Sequence, residues 1–474
     1  MAVAVINILE KTADAEKVDK YLIMDTNTPQ IIATAQKETA SPVATAERIK
    51  TIDVLRGVAL LGILLINIED FGIDWSIFDT ILRGPHDTAE FRTKQVVEVF
   101  FSGTMKGLFS MLFGAGMILF TMNKKETPGG VTIAELYYRR LLLLVLFGVI
   151  HAYVLWTGDI LYFYALAGML LYPFRKTAVK WLLLLSIICI GIVILKGQLR
   201  YNETREKRAA YVELVKAEKA GKTLTAEQQQ ATTVWLEIEN SRRPDRERRD
   251  RNIRKMHSGY GTIFTFFMPG NSGDQSWGIY HGIWGSLCMM FLGMALFRLG
   301  FFSNKLSTST YAMGLMIGYG IGIPISWIMF NARISELLNF GTSIDSYRVN
   351  YWVLNNFKRV FLCLGHASLI MLVFRSRIIP WLMKGLANVG QMAFTNYLMQ
   401  SIICTLFFYG YGLDYFNHFK YHQLFFLVAA VWVFQIIFSA IWLRYYRFGP
   451  FEWLWRSLTY WKKQPMRLKQ ETTN

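Results

Sequence analysis

Cysteine is scarce and badly placed for a covalent framework. The four cysteines, Cys189, Cys288, Cys363 and Cys404, all fall inside apolar runs, and no CxxC pair occurs. That pattern excludes a disulfide scaffold or zinc ribbon and leaves small core or lipid-facing residues. Acidic residues are also sparse, with 34 Asp and Glu against 51 Lys and Arg, for a net charge of +17. No HExxH, GxSxG or P-loop pattern appears, so the chain carries no motif of the common soluble enzymes. The first 50 residues lack a basic start followed by an apolar core, which argues against a signal peptide. No internal repeat supports a two-fold symmetric transporter.

What is present is apolar. Hydrophobic residues make up 53% of the chain, blocked into runs of about 20, the length a membrane helix needs. The basic residues sit mostly beside these runs. Orientation in a bilayer and contact with anionic lipid explain them better than nucleic acid does. The expected fold is all-α: a polytopic membrane bundle of about ten helices, with the lipid bilayer as its first partner.

The ten expected spans are Val54–Phe71, Val96–Met122, Arg140–Trp156, Ile160–Phe174, Val179–Lys196, Gly278–Leu299, Tyr311–Phe330, Phe357–Phe374, Leu386–Tyr409 and Gln423–Leu443. The third and fourth form a tight hairpin turning at Trp156–Asp159. With ten spans, Arg48 and Lys50, Lys124, Lys125, Arg139 and Arg140, Arg175, Lys176 and Lys180, Arg298 and Lys305, Arg375, Arg377 and Lys384, and the basic tail after Arg444 all fall on one side. The positive-inside rule makes that side the cytoplasm and puts both termini there. The organisation expected is a disordered tail (1–50) with a short helix around Ala13–Leu22, five spans (51–196), an extracytoplasmic helical insertion (197–277), five further spans (278–444) and a basic tail (445–474). Within the insertion, GTIFTFFMPG is apolar but too short to span, which suits an interfacial or re-entrant segment.

Several polar residues inside these runs need a chemical reason, because polar groups in a membrane are costly. In Asp53–Asp70, DVLRGVALLGILLINIED, the side chains of Asp53, Arg56, Asn67 and Asp70 fall within one arc of roughly 100°. Such a seam faces a bundle interior or a wet cavity. Arg56 near the inner end either pairs with Asp53 or grips a phosphate of a cytosolic donor. Asn67 is an interhelical hydrogen bond or a substrate contact. Lys106 lies within the second span among small residues (Ser102, Gly103, Gly107, Ser110, Gly114) that suit close helix packing. It needs an anion, either Asp70 or Asp159 or a substrate group. HAYVLWTGDILYFYA places His151 about 8 Å below the turn and Asp159 at the start of the returning helix. The two are a general base and its orienting carboxylate, or a staple of the hairpin. His281 and Asn396 complete the set of candidate binding residues. For each, an interface histidine and a packing amide are the alternatives.

The segments DVLRGVALLGILLINI, LFSMLFGAGM, RRLLLLVLFGVIHAYVLWTGDILYFYALAGMLL, MFLGMALFRLGFF and GQMAFTNYLMQSIICTLFFYGYGL resemble the YeiB-like family of bacterial inner-membrane proteins, a family of unknown function. The likeness runs from about residue 50 to 460. The first helix alone also resembles the opening helix of the transmembrane acyltransferase superfamily, which includes the heparan-alpha-glucosaminide N-acetyltransferases. That likeness implies an acyl-CoA donor at the cytosolic side, a glycan or lipid-linked acceptor on the far side, and a histidine on the non-cytosolic side. The acetyltransferases carry that histidine after the first helix. Here the loop holds only His86, farther along, so His151 stands in by position and not by motif. The leading expectation is therefore a membrane acyltransferase of the bacterial cytoplasmic membrane. The alternatives are a small-molecule transporter using the same polar seam, and a non-catalytic scaffold or sensor built on the insertion.

Overall fold

The computed structural model describes residues 49–122, 131–241, 245–345 and 351–468. The expected tail with its Ala13–Leu22 helix, and Lys124 and Lys125, lie outside them. Among the described residues the chain is helical without a β-strand. One isolated bridge joins Tyr446 and Arg467.

The first half runs α1 (Lys50–Gly72), α2 (Ser76–Arg83), α3 (Ala89–Val96), a π segment (Val97–Phe101), α4 (Thr104–Met122), α5 (Ile133–Ile150), a π segment (His151–Leu155), α6 (Leu161–Met169) and α7 (Val179–Lys219). Then come α8 (Ala226–Ser241), α9 (Arg246–Met256), α10 (Tyr260–Gly273), a third π segment (Asp274–Gly278) and α11 (Ile279–Arg298). The remainder is α12 (Thr308–Leu338), α13 (Phe340–Asp345), α14 (Tyr351–Ser376), α15 (Pro380–Gln391), α16 (Ala393–Phe408), α17 (Leu424–Tyr445) and α18 (Pro450–Tyr460). Seven helical stretches are long and apolar enough to cross a membrane. The protein is an all-α polytopic membrane protein.

Three of the ten expected spans take other forms. The third, α5, carries Glu135, Arg139 and Arg140 in its first half. The fourth, α6, has only nine residues. The ninth divides at Met392 into α15 and α16. The insertion is not set off by breaks. Helix α7 runs unbroken for 41 residues through position 197. GTIFTFFMPG forms α10, which joins α11 through the π segment into a helical run of 39 residues, Tyr260–Arg298. Both ends of the expected insertion are therefore continuous with long apolar helices.

Helices here approach closely where glycine removes the side chain, as membrane interfaces require. Gly114 of α4 lies on the Met290 carbonyl of α11, and Gly293 of α11 lies on the Met111 carbonyl of α4. A side chain at either position would collide with backbone. Gly148 of α5 similarly seats against the Tyr162 amide, which closes the α5–α6 hairpin.

At the basic end of the bundle, amphipathic α18 returns to clamp two other helices. The Glu452 carboxylate accepts from the Phe394 and Thr395 amides (2.6 and 3.0 Å) and from the Thr395 hydroxyl (2.5 Å). It thus caps the N-terminus of α16, where orphan N–H groups and the helix dipole favour an anion. Burial pushes this carboxyl above the usual carboxylate range, and the Thr395 hydroxyl and the amides pull it back. The Trp455 indole N–H donates to the Arg140 carbonyl at 2.9 Å, and its ring lies 4.0 Å from the Arg140 guanidinium.

Candidate functional site

The hairpin that carries His151 ends in a π turn. A π turn leaves carbonyls without their usual partners, and α10 supplies them. The Asn271 amide donates to the Ala152 carbonyl at 2.7 Å, and the Tyr260 hydroxyl to the Val154 carbonyl at 2.8 Å. Trp156 stacks on Phe71 of α1 at 4.1 Å, pinning the turn to the first helix. The chain then reverses. Asp159 Oδ2 accepts from the Tyr162 amide at 2.8 Å and starts α6.

Across this turn His151 Nδ1 meets Asp159 Oδ1 at 2.9 Å. A carboxylate only accepts, so Nδ1 carries a proton, and in the neutral ring Nε2 then keeps its lone pair. Nε2 faces Ser401 Oγ of α16 at 2.8 Å. Tyr397, one turn before Ser401, accepts from the Ile160 amide at 3.2 Å and donates to the Gly158 carbonyl at 3.3 Å. Its ring lies 4.9 Å from the imidazole. His151 and Ser401 are each 1% exposed, and the Asp159 side chain 3%. His151 stands eleven residues past Arg140, about 16 Å along α5. The turn is therefore inside the bundle, not at its surface. Thr157 and Gly158 line a cavity of about 1090 Å³ whose wall also includes Asp70, Asp274, Phe266 and Phe267.

Lys106 is close by. The Tyr164 hydroxyl donates to the Lys106 carbonyl at 2.7 Å and accepts from Ser110 at 2.8 Å. The Lys106 side chain is exposed although helices stand around it, so it is not part of the packed core. The carboxylates whose fields reach it are Asp70, Asp159 and Asp274, and no carboxylate among the described residues lies within ion-pair distance. Asn67 is buried and has no hydrogen-bond partner among the described residues.

The other sequence candidates lie elsewhere. Arg56 pairs with Asp53 at 3.0 Å near the basic end, about 16 Å down α1 from Asn67. It lies within the electrostatic reach of Arg140. His281 is exposed beside α7, where its Nδ1 accepts from Arg200 at 3.4 Å. Asn396 donates to Ser439 and to the Val389 carbonyl at 2.9 and 3.2 Å. It belongs with Gln400 and Gln435, paired at 3.0 Å, in a packing seam between α16 and α17. His366 is satisfied by the Phe100 carbonyl (2.8 Å) and the Tyr319 hydroxyl (2.7 Å).

Two features escaped the sequence reading. One is Ser401. The other is a buried ionic group beside the seam of α1. Lys94 Nζ lies 3.0 and 2.9 Å from the two Glu69 oxygens and 3.0 Å from Glu98. The Tyr421 hydroxyl donates to Glu69 at 2.5 Å, and the Phe78 ring lies 4.1 Å from the ammonium. Glu69 adjoins Asp70 in sequence, so the acidic pair at the end of α1 was the available signal.

On the basic end a second cleft, of about 2090 Å³, is lined by Lys50, Arg175, Lys176, Arg298, Lys305 and Arg375. No carboxylate among the described residues lines it. No group of three or more metal-ligating side chains occurs among the described residues.

Residues 296–462, which hold Ser401, match the family model described as "Protein of unknown function (DUF418)". Uncharacterized protein YxaH of Bacillus subtilis is 30% identical over 443 residues, covering 90% of this chain and 98% of that protein. Uncharacterized protein YeiB of Escherichia coli is 30% identical over 424 residues, covering 87% and 96%. An uncharacterized 39.9 kDa protein of Bacillus acidopullulyticus is 28% identical over 445 residues, covering 91% and 99%. No solved structure matches the chain.

Proposed function

Because the chain belongs to the YeiB-like DUF418 family of membrane proteins, we propose for it an activity that a buried His–Asp pair suits: acyl transfer across the bilayer. The observation that carries this reading is the His151–Asp159 contact, with Nε2 directed at a hydroxyl. An oriented imidazole buried beside a cavity is a general base held ready. Asp159 fixes its tautomer and stabilises the imidazolium that forms. Lys106, which has no ion-pair partner among the described residues, is the group for a developing oxyanion, with Asn67 as a second donor.

The donor is an acyl-CoA reaching the bundle from the cytosolic, basic end. Its phosphates meet Arg56 and the basic cleft, where like charges crowd together with no carboxylate among the described residues in the lining. The acceptor, a glycan or lipid-linked sugar, comes through the opposite cavity to Gly158. On this reading both termini are cytoplasmic, the α8–α10 region is extracytoplasmic, and the membrane is the bacterial inner membrane.

The test is acyl-CoA binding to detergent-purified protein, read as a thermal shift over a concentration series. A ligand that binds only the folded state raises the melting temperature, by about 2.7 kcal/mol of stability at a hundredfold excess over Kd. Wild type should shift saturably and Arg56→Ala should lose most of the shift. No shift with any acyl-CoA would sink the reading.

A second reading, a transporter, draws on a different observation: the buried Glu69–Lys94–Glu98 group, since ionisable residues at membrane depth often mark solute or proton paths. Counterflow of a solute in vesicles, lost in Glu69→Gln, would favour it.

A further inference from the structure

We propose that Ser401 is a nucleophile that carries the acyl group as a covalent ester. This rests on the acyltransferase reading and deepens it. A base that deprotonates an acceptor needs a free lone pair. Here the only one, on Nε2, is already taken by Ser401 Oγ at 2.8 Å. The acceptor hydroxyl cannot use that nitrogen until Ser401 has given up its own proton.

The behaviour of Ser401 within its helix points the same way. Serine and threonine inside helices commonly donate back to the carbonyl three or four residues earlier. Thr405 does so here, as do Thr104 and Thr121. Ser401 has no such bond and, among the described residues, its hydroxyl meets His151 alone. Hydroxyl, imidazole and carboxylate come from three separate elements and align within 2.9 Å at each step. That is the arrangement that activates a serine.

The chemistry balances in two halves. Ser401 Oγ attacks the thioester carbonyl as its proton passes to His151 Nε2. The C–S bond breaks, and the thiolate leaves with that proton as free thiol, so Ser401 becomes an acyl ester. The acceptor hydroxyl then gives its proton to Nε2 while its oxygen attacks the ester carbonyl. Ser401 Oγ departs and takes the proton back. The sum is a thioester and an alcohol exchanged for an ester and a thiol. The site is closed in this structure, and the wall between cavity and acid is the Thr157–Gly158 turn. A covalent intermediate suits such a place, because donor and acceptor need never occupy it together. Each can come from its own face.

The experiment needs no acceptor. Detergent-purified protein is mixed with acetyl-CoA carrying a labelled acetyl group. Released thiol is followed, and the digest is examined by mass spectrometry. The expected result is a burst of about one equivalent of thiol per protein. An acetyl increment on the Ser401 peptide that hydroxylamine removes should accompany it. Labelled CoA should exchange into acetyl-CoA in the absence of acceptor. Ser401→Ala should lose burst, label and exchange while keeping the thermal shift with acetyl-CoA, and Ser401→Cys, the check on folding, should regain the label as a thioester. His151→Ala should slow labelling by about 10²–10⁴-fold. A thermal shift in wild type with no label and no exchange overturns the covalent step and leaves the acyltransferase reading standing. Absence of both shift and label overturns the two together.

Discussion

Removing Lys94 should be among the most damaging single changes in the bundle, and the damage should be repaired by a second change. Lys94 holds both oxygens of Glu69 and one of Glu98. The two carboxylates are not equivalent: the Glu69 side chain is 7% exposed and that of Glu98 34%. In Lys94→Met, Glu98 can rehydrate. Glu69 cannot, and is left with the Tyr421 hydroxyl as its remaining side-chain partner. Breaking a buried pair by removing one member costs about 3–5 kcal/mol, mostly because a charge is stranded. Glu69→Gln alone keeps Lys94 paired with Glu98 and should cost about 1–3 kcal/mol, the penalty of a weakened hydrogen-bond set. In the double variant no charge is stranded at position 69. It should therefore melt at a higher temperature than Lys94→Met, although it carries one more substitution. Thermal unfolding in detergent, followed by tryptophan fluorescence for all four proteins, gives the ordering directly. If the two losses simply add, the stranding argument is wrong and Lys94 matters only for its packing on Phe78.

Two further outcomes follow from the geometry. Gly148→Val should push α5 from α6 at the Tyr162 amide, cost about 1–3 kcal/mol as overpacking does, and reduce any His151-dependent labelling. The same change at Gly191, where nothing is near, should leave the melting temperature almost unmoved. Arg375→Glu in the basic cleft should weaken acyl-CoA binding at low salt, with the difference from wild type shrinking as salt is added, because exposed charges are screened beyond about 8 Å at physiological ionic strength.

The sequence announced what was local. Helix α1, the hairpin and the Arg56–Asp53 pair are visible because apolar runs, a Gly–Asp turn and a three-residue spacing are short-range signals. The His151–Asp159 contact was legible for the same reason, being eight residues long and closed by one turn. Ser401 was not, since 250 residues separate it from His151 and no periodicity links them. Lys94 falls outside the expected spans because α3 is polar by composition. Only the fold returns that helix to α1. The boundary expected near residue 197 followed a change from apolar to charged residues. Helix α7 crosses it without interruption because the charged stretch is as good a helix former as the apolar one. The π turns left no trace in the pattern, yet one of them aims the imidazole.

The clamp at the basic end has a mechanical consequence. Helix α18 grips α5 at Arg140 and α16 at Thr395, and His151 follows the far end of α5 while Ser401 sits midway along α16. The arrangement is that of tweezers squeezed at the base. With an arm of about 16 Å, a tilt of about 4° at the grip moves the tip by about 1 Å. Misplacement on that scale can change a rate a hundredfold. Whatever leans on the eleven residues of α18, be it lipid headgroups, a bound protein or a fused tag, would thus set the gap between His151 and Ser401 from the outside edge of the bundle, as a thumb does.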